Sequence, residues 1–262
     1  MTSDLDFHLF CPKGALSDLV QGIWSVSRPA EADELHAWLH SDAASGLLIN
    51  LGAPLGYDEQ EVPAGVYLLP VNKQTTRVTL PPGALAVGVR FLPGAGRAWM
   101  MERFAFEQGR EAITPLTYHA ELMALAASLR ACRGHRQRLS LTYRWLRANQ
   151  TLNQPLPRVI NEVLQALDRP DADMTAFENG VMSQRQIERY FRRYLEMTPK
   201  YYQRLMRARQ TLQALKLSPL APLADIALEL GFADQAHMTR ELKQLIKITP
   251  KRYRQLLTQG AG

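Results

Sequence analysis

A shift of 51 residues lays one part of this chain on another without a gap. Ala176 falls on Ala227, Glu178 on Glu229, Gly180 on Gly231, Arg189 on Arg240 and Phe191 on Leu242, and Thr198-Pro199-Lys200 with Tyr202 falls on Thr249-Pro250-Lys251 with Tyr253. An internal repeat of this kind means that one structural unit is built twice and that whatever lies between must hold the copies together. The second copy, LADIALELGFADQAHMTRELKQLIKITPKRYR, is the more readable. Leu223, Ile226, Ala227 and Leu230 recur at i, i+3, i+4 and i+7, the apolar stripe of a short helix, and Gly231 stands where a left-handed residue ends it. Asp234 can cap a second helix, whose inner face is Met238, Leu242 and Leu245 and whose outer face is Ala236, Arg240 and Lys243. Two short helices at a tight turn are a helix-turn-helix. In the first copy Ser183 takes the cap position, Ile187, Phe191 and Tyr194 the inner face, and Arg185, Arg189 and Arg192 the outer one.

Thr198-Pro199 and Thr249-Pro250 each read as an N-cap followed by proline at the first helical position, so each unit ends by launching a further helix. The helix from Pro199 to Leu217 carries Tyr201, Leu205, Ala208, Leu212 and Leu215 at heptad-like spacing. At ~1.5 Å per residue it spans roughly 28 Å, close to the ~34 Å of one turn of B-DNA. Charge sharpens this reading. Residues 1–155 hold 14 Lys/Arg and 14 Asp/Glu, whereas residues 156–262 hold 17 and 11, so the whole +6 lies in the second part. A basic part beside a neutral one points to a polyanion partner for one domain only.

DIALELGFADQAHMTRELK followed by ITPKRYR, and MSQRQIERYFRRYLEMTPKYY before it, resemble the two signature stretches of the AraC-type transcription regulators. That resemblance implies two helix-turn-helix units joined by a long helix. Where the family often has glycine just after each recognition helix, this chain has Glu196 and Lys247. Ala236 stands where some relatives carry a longer polar side chain. A helix in the major groove reads bases from its exposed N-terminal half and holds phosphates with long cations. Arg185, Arg189 and Arg240 fit base reading, and Arg192, Arg193 and Lys243 fit phosphates. Gln184, Gln186 and Gln235 suit adenine or the backbone, and Ser183 and His237 complete the DNA-binding set.

The first part reads as an all-β core. LHAWLH, GLLINLG, GVYLLP, TTRVTL and ALAVGVRF are each bounded by Gly, Pro, Asp or Asn, and their close spacing favours a sandwich or barrel over a parallel sheet. Helical patterns follow over residues 97–104, 120–131, 136–148 and 158–167, with Leu122, Leu125 and Leu129 on one face and Leu139, Tyr143 and Leu146 on another. LLINLG and VGVRFLPGAGRAWM resemble the cupin-like sensor domain of uncharacterised AraC-type members. The expected class is therefore α+β: a β-rich effector or dimerisation domain with a helical extension over 1–152, and an all-α DNA-binding domain over 153–262. Within the latter, the first helix-turn-helix covers about 172–195, the linker helix about 199–217 and the second unit about 223–246. The polar, proline-containing TLNQPLP of residues 151–157 is the expected join.

Other chemistries find little footing. Cys11 and Cys132 lack metal or disulfide spacing. His36 and His40 sit four apart near Glu34, but the alternation of LHAWLH makes a strand, on which they stand well separated, so no metal is expected. Trp24, Trp38, Trp99 and Trp145 are expected in the core rather than around a ligand. No GxSxG, Walker or GxGxxG sequence is present, and neither catalysis nor a cofactor is expected. With no apolar run of 18 residues and no leader pattern, the expectation is a cytoplasmic protein without a membrane partner. Double-stranded DNA is the expected partner, and RNA polymerase, a small-molecule effector and a second copy are the others that the resemblance allows. Two further readings stand beside this one: a cupin-type, metal-dependent or small-molecule-binding enzyme with a basic anchoring tail, and a module whose repeat binds protein.

Overall fold

The computed structural model describes residues 5–104, 113–150, 156–169 and 183–259. It divides into two compact units, one of Met1–Leu39, Ala44–Asn72 and Thr76–Pro155, the other of Leu156–Gly262 with His40–Ala43 and Lys73–Thr75. The first is β-rich and the second helical, the class that the sequence implies.

In the first unit the strands are β1 (Asp6–Phe10), β2 (Val20–Ser27), β3 (Leu35–Leu39), β4 (Gly46–Asn50), β5 (Leu55–Tyr57), β6 (Gln60–Val62), β7 (Gly65–Leu69), β8 (Thr76–Leu80), β9 (Leu85–Phe91) and β10 (Thr114–Pro115). They form two antiparallel sheets, ordered β1-β2-β9-β4-β7-β10 and β3-β8-β5-β6. All five strands singled out in the sequence are present. Those passed over have weaker signals: β5, β6 and β10 are two or three residues long, every residue of β1 is exposed, and Gly22 interrupts β2 where its register shifts.

Val26, Leu48, Tyr67, Leu69 and Ala86 of the larger sheet and Leu55, Tyr57, Val62 and Leu80 of the smaller belong to one buried cluster, so the sheets close on a common core. Alternation sends Leu47, Ile49, Leu68, Val87 and Val89 to the other face of the larger sheet, and these are buried too. That face meets the helices α1 (Ala95–Phe104), α2 (Ala120–Arg130) and α3 (His135–Asn149), which pack on β9, β7 and β2 respectively. Burial on both sides explains why β4 reads as the unbroken apolar run GLLIN. On α2, Leu122, Leu125 and Leu129 are buried as expected. On α3 the buried stripe is Arg138, Thr142 and Leu146, flanked by half-buried Leu139 and Tyr143. Arg138 can be buried because it donates to the Cys132 carbonyl at 2.7 Å, a bond no periodicity reveals.

Trp99 is the aromatic centre of this helical layer. It lies against Phe91, Phe104 and Trp145, and its indole N–H donates to the Asn149 carbonyl at 2.8 Å. Trp38 departs from the expected core role: it sits on β3 of the smaller sheet, 54% exposed. Trp24 lies over Gly88, its cross-strand partner, where an added Cβ would fall 2.1 Å from the indole ring. Gly88→Ala therefore overpacks the sheet and is expected to cost about 2 kcal/mol. A denaturant midpoint equal to that of the parent would mean that the ring is not held against the strand.

The second unit contains α4 (Arg158–Leu167), α5 (Gln184–Tyr190), α6 (Pro199–Leu217), α7 (Leu223–Glu229), α8 (Gln235–Leu245) and α9 (Pro250–Gln259). The stretch expected to form the first helix of the first repeat, with Ala176, Glu178 and Gly180, and residues 151–155 of the expected join lie outside the described residues. Helix α6 is the spine: Tyr202, Leu205, Met206, Ala208, Leu212 and Leu215 are buried along it, and it packs on α4, α7, α8 and α9. Tyr201, expected in that stripe, is half-buried beside it. Among the described residues no helix is long and apolar enough to cross a membrane.

Candidate nucleic-acid interface

The turn of the second repeat is built by backbone geometry that glycine alone takes without strain. Gly231 has φ 71°, its N–H donates to the Leu228 carbonyl at 3.0 Å, and the Phe232 N–H donates to the Ala227 carbonyl at 2.9 Å. This pair of bonds is the Schellman closure of α7. Asp234 then accepts from the His237 N–H at 2.6 Å and starts α8. Met238, Leu242 and Leu245 are buried as expected, and Gln235, Ala236, Arg240 and Lys243 are exposed. His237 is otherwise engaged. Its imidazole accepts from the Ala233 N–H at 3.3 Å and stands edge-on to Phe232 at 5.5 Å, so it braces the turn.

In the first repeat Ser183 and Gln186 form a reciprocal cap: the Ser183 hydroxyl accepts from the Gln186 N–H, and the Gln186 side-chain oxygen accepts from the Ser183 N–H at 2.8 Å. Ser183-Gln-Arg-Gln186 is the capping-box pattern, so the sequence held the signal. After Tyr190 the helix widens into a π-type turn over Phe191–Leu195. The wider turn changes the inner face. Ile187, Phe191 and Leu195 are buried, while Tyr194, expected inside, is half-buried and stacks on Tyr190 with ring centroids 5.8 Å apart. Gln184, Arg185, Arg189, Arg192 and Arg193 are exposed, and the Arg193 guanidinium lies 5.4 Å from the Tyr194 ring centroid.

The second helix of each repeat ends on a left-handed residue that is not glycine, Glu196 at φ 54° and Lys247 at φ 59°. Each costs about 1 kcal/mol of backbone strain that a glycine would avoid. The turn geometry survives the substitution of residue type because the helices on either side are anchored in the core: Leu195 and Met197 flank Glu196, and Leu245 and Ile246 precede Lys247, all buried.

What holds α8 at a fixed angle is α6. Arg204 donates to both Glu241 carboxylate oxygens at 2.8 Å and to the Gln244 side-chain oxygen at 2.9 Å, and the Arg207 guanidinium donates to the Gly231 carbonyl and covers the Phe232 ring. Sequence reading missed these two arginines because they sit on the half-buried flank of a helix whose apolar stripe alone is periodic. The Arg204 hydrogen bonds hold the Glu241 carboxyl below its ordinary value of 4.5, against the opposing effect of burial. A lowered folded-state value means that the pair stabilises the unit fully above the ordinary carboxylate range and stops doing so as pH falls through the depressed value. Glu241→Gln is accordingly expected to cost about 2 kcal/mol at neutral pH, as for lost charge-assisted hydrogen bonds. Its deficit against the parent should close as unfolding is followed to pH values below the ordinary carboxylate value of 4.5; a deficit constant with pH would show that the carboxylate charge contributes nothing.

Each repeat thus presents a capped helix with an exposed polar face that carries Arg185, Arg189 and Arg192 in the first and Arg240 and Lys243 in the second. Residues 181–256 match the family model described as a helix-turn-helix domain. No curated protein matches the chain. Among solved structures, ToxT from Vibrio cholerae is similar at 12% identity over 86% of this chain and 98% of that one, with a TM-score of 0.47. The C-terminal domain of AraT, a response regulator from Geobacillus stearothermophilus, is 18% identical over 38% of this chain and 82% of that one, with a TM-score of 0.33. The AraC-like transcriptional activator CuxR is 12% identical over 99% and 88%, with a TM-score of 0.25.

Proposed function

We propose that the helix-turn-helix domain matched at residues 181–256 is of the AraC type, that the chain is a DNA-binding regulator of transcription, and that α5 and α8 enter successive major grooves on one face of a duplex. The observation that carries this reading is that α6 binds α8 through Arg204 and meets Phe191, just beyond α5, through Tyr202. With α6 of 19 residues between them, the outer faces stand apart by a distance of the order of one helical turn of DNA, roughly 34 Å.

Arg185 and Arg189, on the exposed face of α5, and Arg240 on α8 are the base-reading candidates, each able to bridge guanine O6 and N7. Gln184 and Gln235, at the first position of each helix, suit adenine edges or phosphates. Arg192, Arg193 and Lys243 lie further along and suit phosphates. Ser183, Gln186 and His237 support the interface in another way: Ser183 and Gln186 are spent on the cap, and His237 on the turn, so they position their helices. The β-rich unit is the part we assign to effector sensing or to pairing two copies. Pairing is favoured by β1, an edge strand on which Phe7 is 50% and Leu9 58% exposed.

Selection of bound duplexes from a random pool with the full chain tests the reading. The expected product is a site with two conserved segments about 10 base pairs apart, centre to centre. A pool that stays random after repeated rounds would contradict it.

A further inference from the structure

Strand alternation puts Asp6 and His8 on one face of β1, and the antiparallel register sets them opposite Ser27 and Ser25 of β2. His135, the first residue of α3, comes down on that same face. Its Nε2 lies 2.9 Å from one Asp6 carboxylate oxygen, and His8 Nε2 lies 2.8 Å from the other. The two imidazoles stack with centroids 4.5 Å apart at 20° between planes. One nitrogen from each histidine and a carboxylate oxygen fall within 4.8 Å of one another, and among the described residues no other group of three His, Cys, Asp or Glu does so. Neither His36 nor His40 belongs to it. The signal in the sequence was only the i, i+2 spacing of Asp6 and His8; the third member is 127 residues further on and cannot be found by spacing.

We propose that Asp6, His8 and His135 form a binding site for a divalent transition cation of the zinc class. Two neutral imidazoles and one carboxylate are a donor set that suits zinc and its neighbours and is poor for magnesium or calcium, which take oxygen ligands. Ligand bonds of ~2.0–2.1 Å at tetrahedral angles put neighbouring ligand atoms roughly 3.3 Å apart. His8 and His135 now rest on different oxygens of Asp6, so a cation held by one oxygen and both rings draws together ligand atoms that lie within 4.8 Å of one another and swings the stacked rings apart. Asp6 and His8 have side chains 58% and 53% exposed on an edge strand, so they can make this adjustment and the cation can enter. The His135 Nδ1 sits 2.8 Å from the Ser25 hydroxyl, the kind of outer hydrogen bond that fixes a metal-binding histidine, while its Nε2 lies 3.1 Å from the Ser27 hydroxyl, a contact that the cation displaces. Three protein ligands leave a fourth position to water or to an added ligand. A bound cation would clip β1 to α3 and so stabilise the β-rich unit.

The experiment titrates chelator-stripped full-length chain with Zn²⁺ against a chromogenic competitor and follows thermal unfolding with Zn²⁺ or Mg²⁺. The chain has six histidines and two cysteines, so variants decide which residues bind. The expected result is one site whose affinity falls about 100-fold in His8→Ala and in Asp6→Asn, and about 10-fold in Ser25→Ala, a positioning residue. Zn²⁺ but not Mg²⁺ should raise the melting temperature of the parent, and neither should raise that of His8→Ala. Zinc binding unchanged in His8→Ala, whose exposed side chain makes misfolding no explanation, would overturn the proposal, as would an equal effect of Mg²⁺.

Discussion

Truncating Phe191 to alanine lowers the stability of the helical unit by about 4 kcal/mol, and Leu242→Ala by about 3 kcal/mol. Both side chains are fully buried at corresponding positions of the two repeats, and the Phe191 ring meets Tyr202 of α6 edge-on with centroids 5.8 Å apart. A cavity left there is walled by the spine and by helices that the caps hold in place, so little collapse can refill it. Arg192, next to Phe191 in the chain, is exposed on the opposite side, and Arg192→Ala should shift the denaturant midpoint by no more than about 0.5 kcal/mol in equivalent stability. Equal shifts for all three variants would mean that the inner and outer faces have been assigned wrongly.

The second large effect is on DNA binding. Arg189→Ala should cost about 1–3 kcal/mol against the selected duplex and relax preference at one or two positions of one segment, as for the loss of a bidentate base contact. Arg192→Ala should instead weaken all sequences alike and reduce the salt slope by about one unit, as for a lost phosphate contact. The first unit should discriminate more strongly than the second. Its exposed face has Arg185 where the second has Ala236, one long donor fewer at the end that reaches deepest into the groove. Binding of each variant to the selected site, to single-base changes of it and to random duplex, over a range of salt, separates the two behaviours. The roles along α5 are reversed if Arg189→Ala lowers affinity uniformly while Arg192→Ala relaxes preference.

The parts of the helical unit that were legible in its sequence are those that repeat or punctuate. Gly231, Asp234, Ser183 and the two Thr-Pro pairs mark ends of helices, and an apolar residue every third or fourth position marks a face. What was not legible depends on partners distant in the chain or on departures from regular geometry. The π-type turn moves the inner position from Tyr194 to Leu195, because a widened turn breaks the spacing on which the face was predicted. Arg204 and Glu241 lie 37 residues apart and meet only because α6 crosses α8. In the β-rich unit β3, β4, β7, β8 and β9 were plain because turn residues bound them, whereas β2, though largely buried, was not, Gly22 interrupting it where its register shifts. The edge strand β1 was not, since its residues are all exposed and its pairing with β2 is a matter of register. The Asp6, His8 and His135 cluster was hidden for the same reason.

Base-by-base protection of the selected duplex, with the parent, Arg189→Ala and Arg240→Ala, bears most directly on the claim that both outer faces read DNA together. Two protected segments about one helical turn apart are expected, with Arg189→Ala losing contacts in one segment only and Arg240→Ala in the other only. A single protected segment, or the same segment weakened by both substitutions, would contradict it.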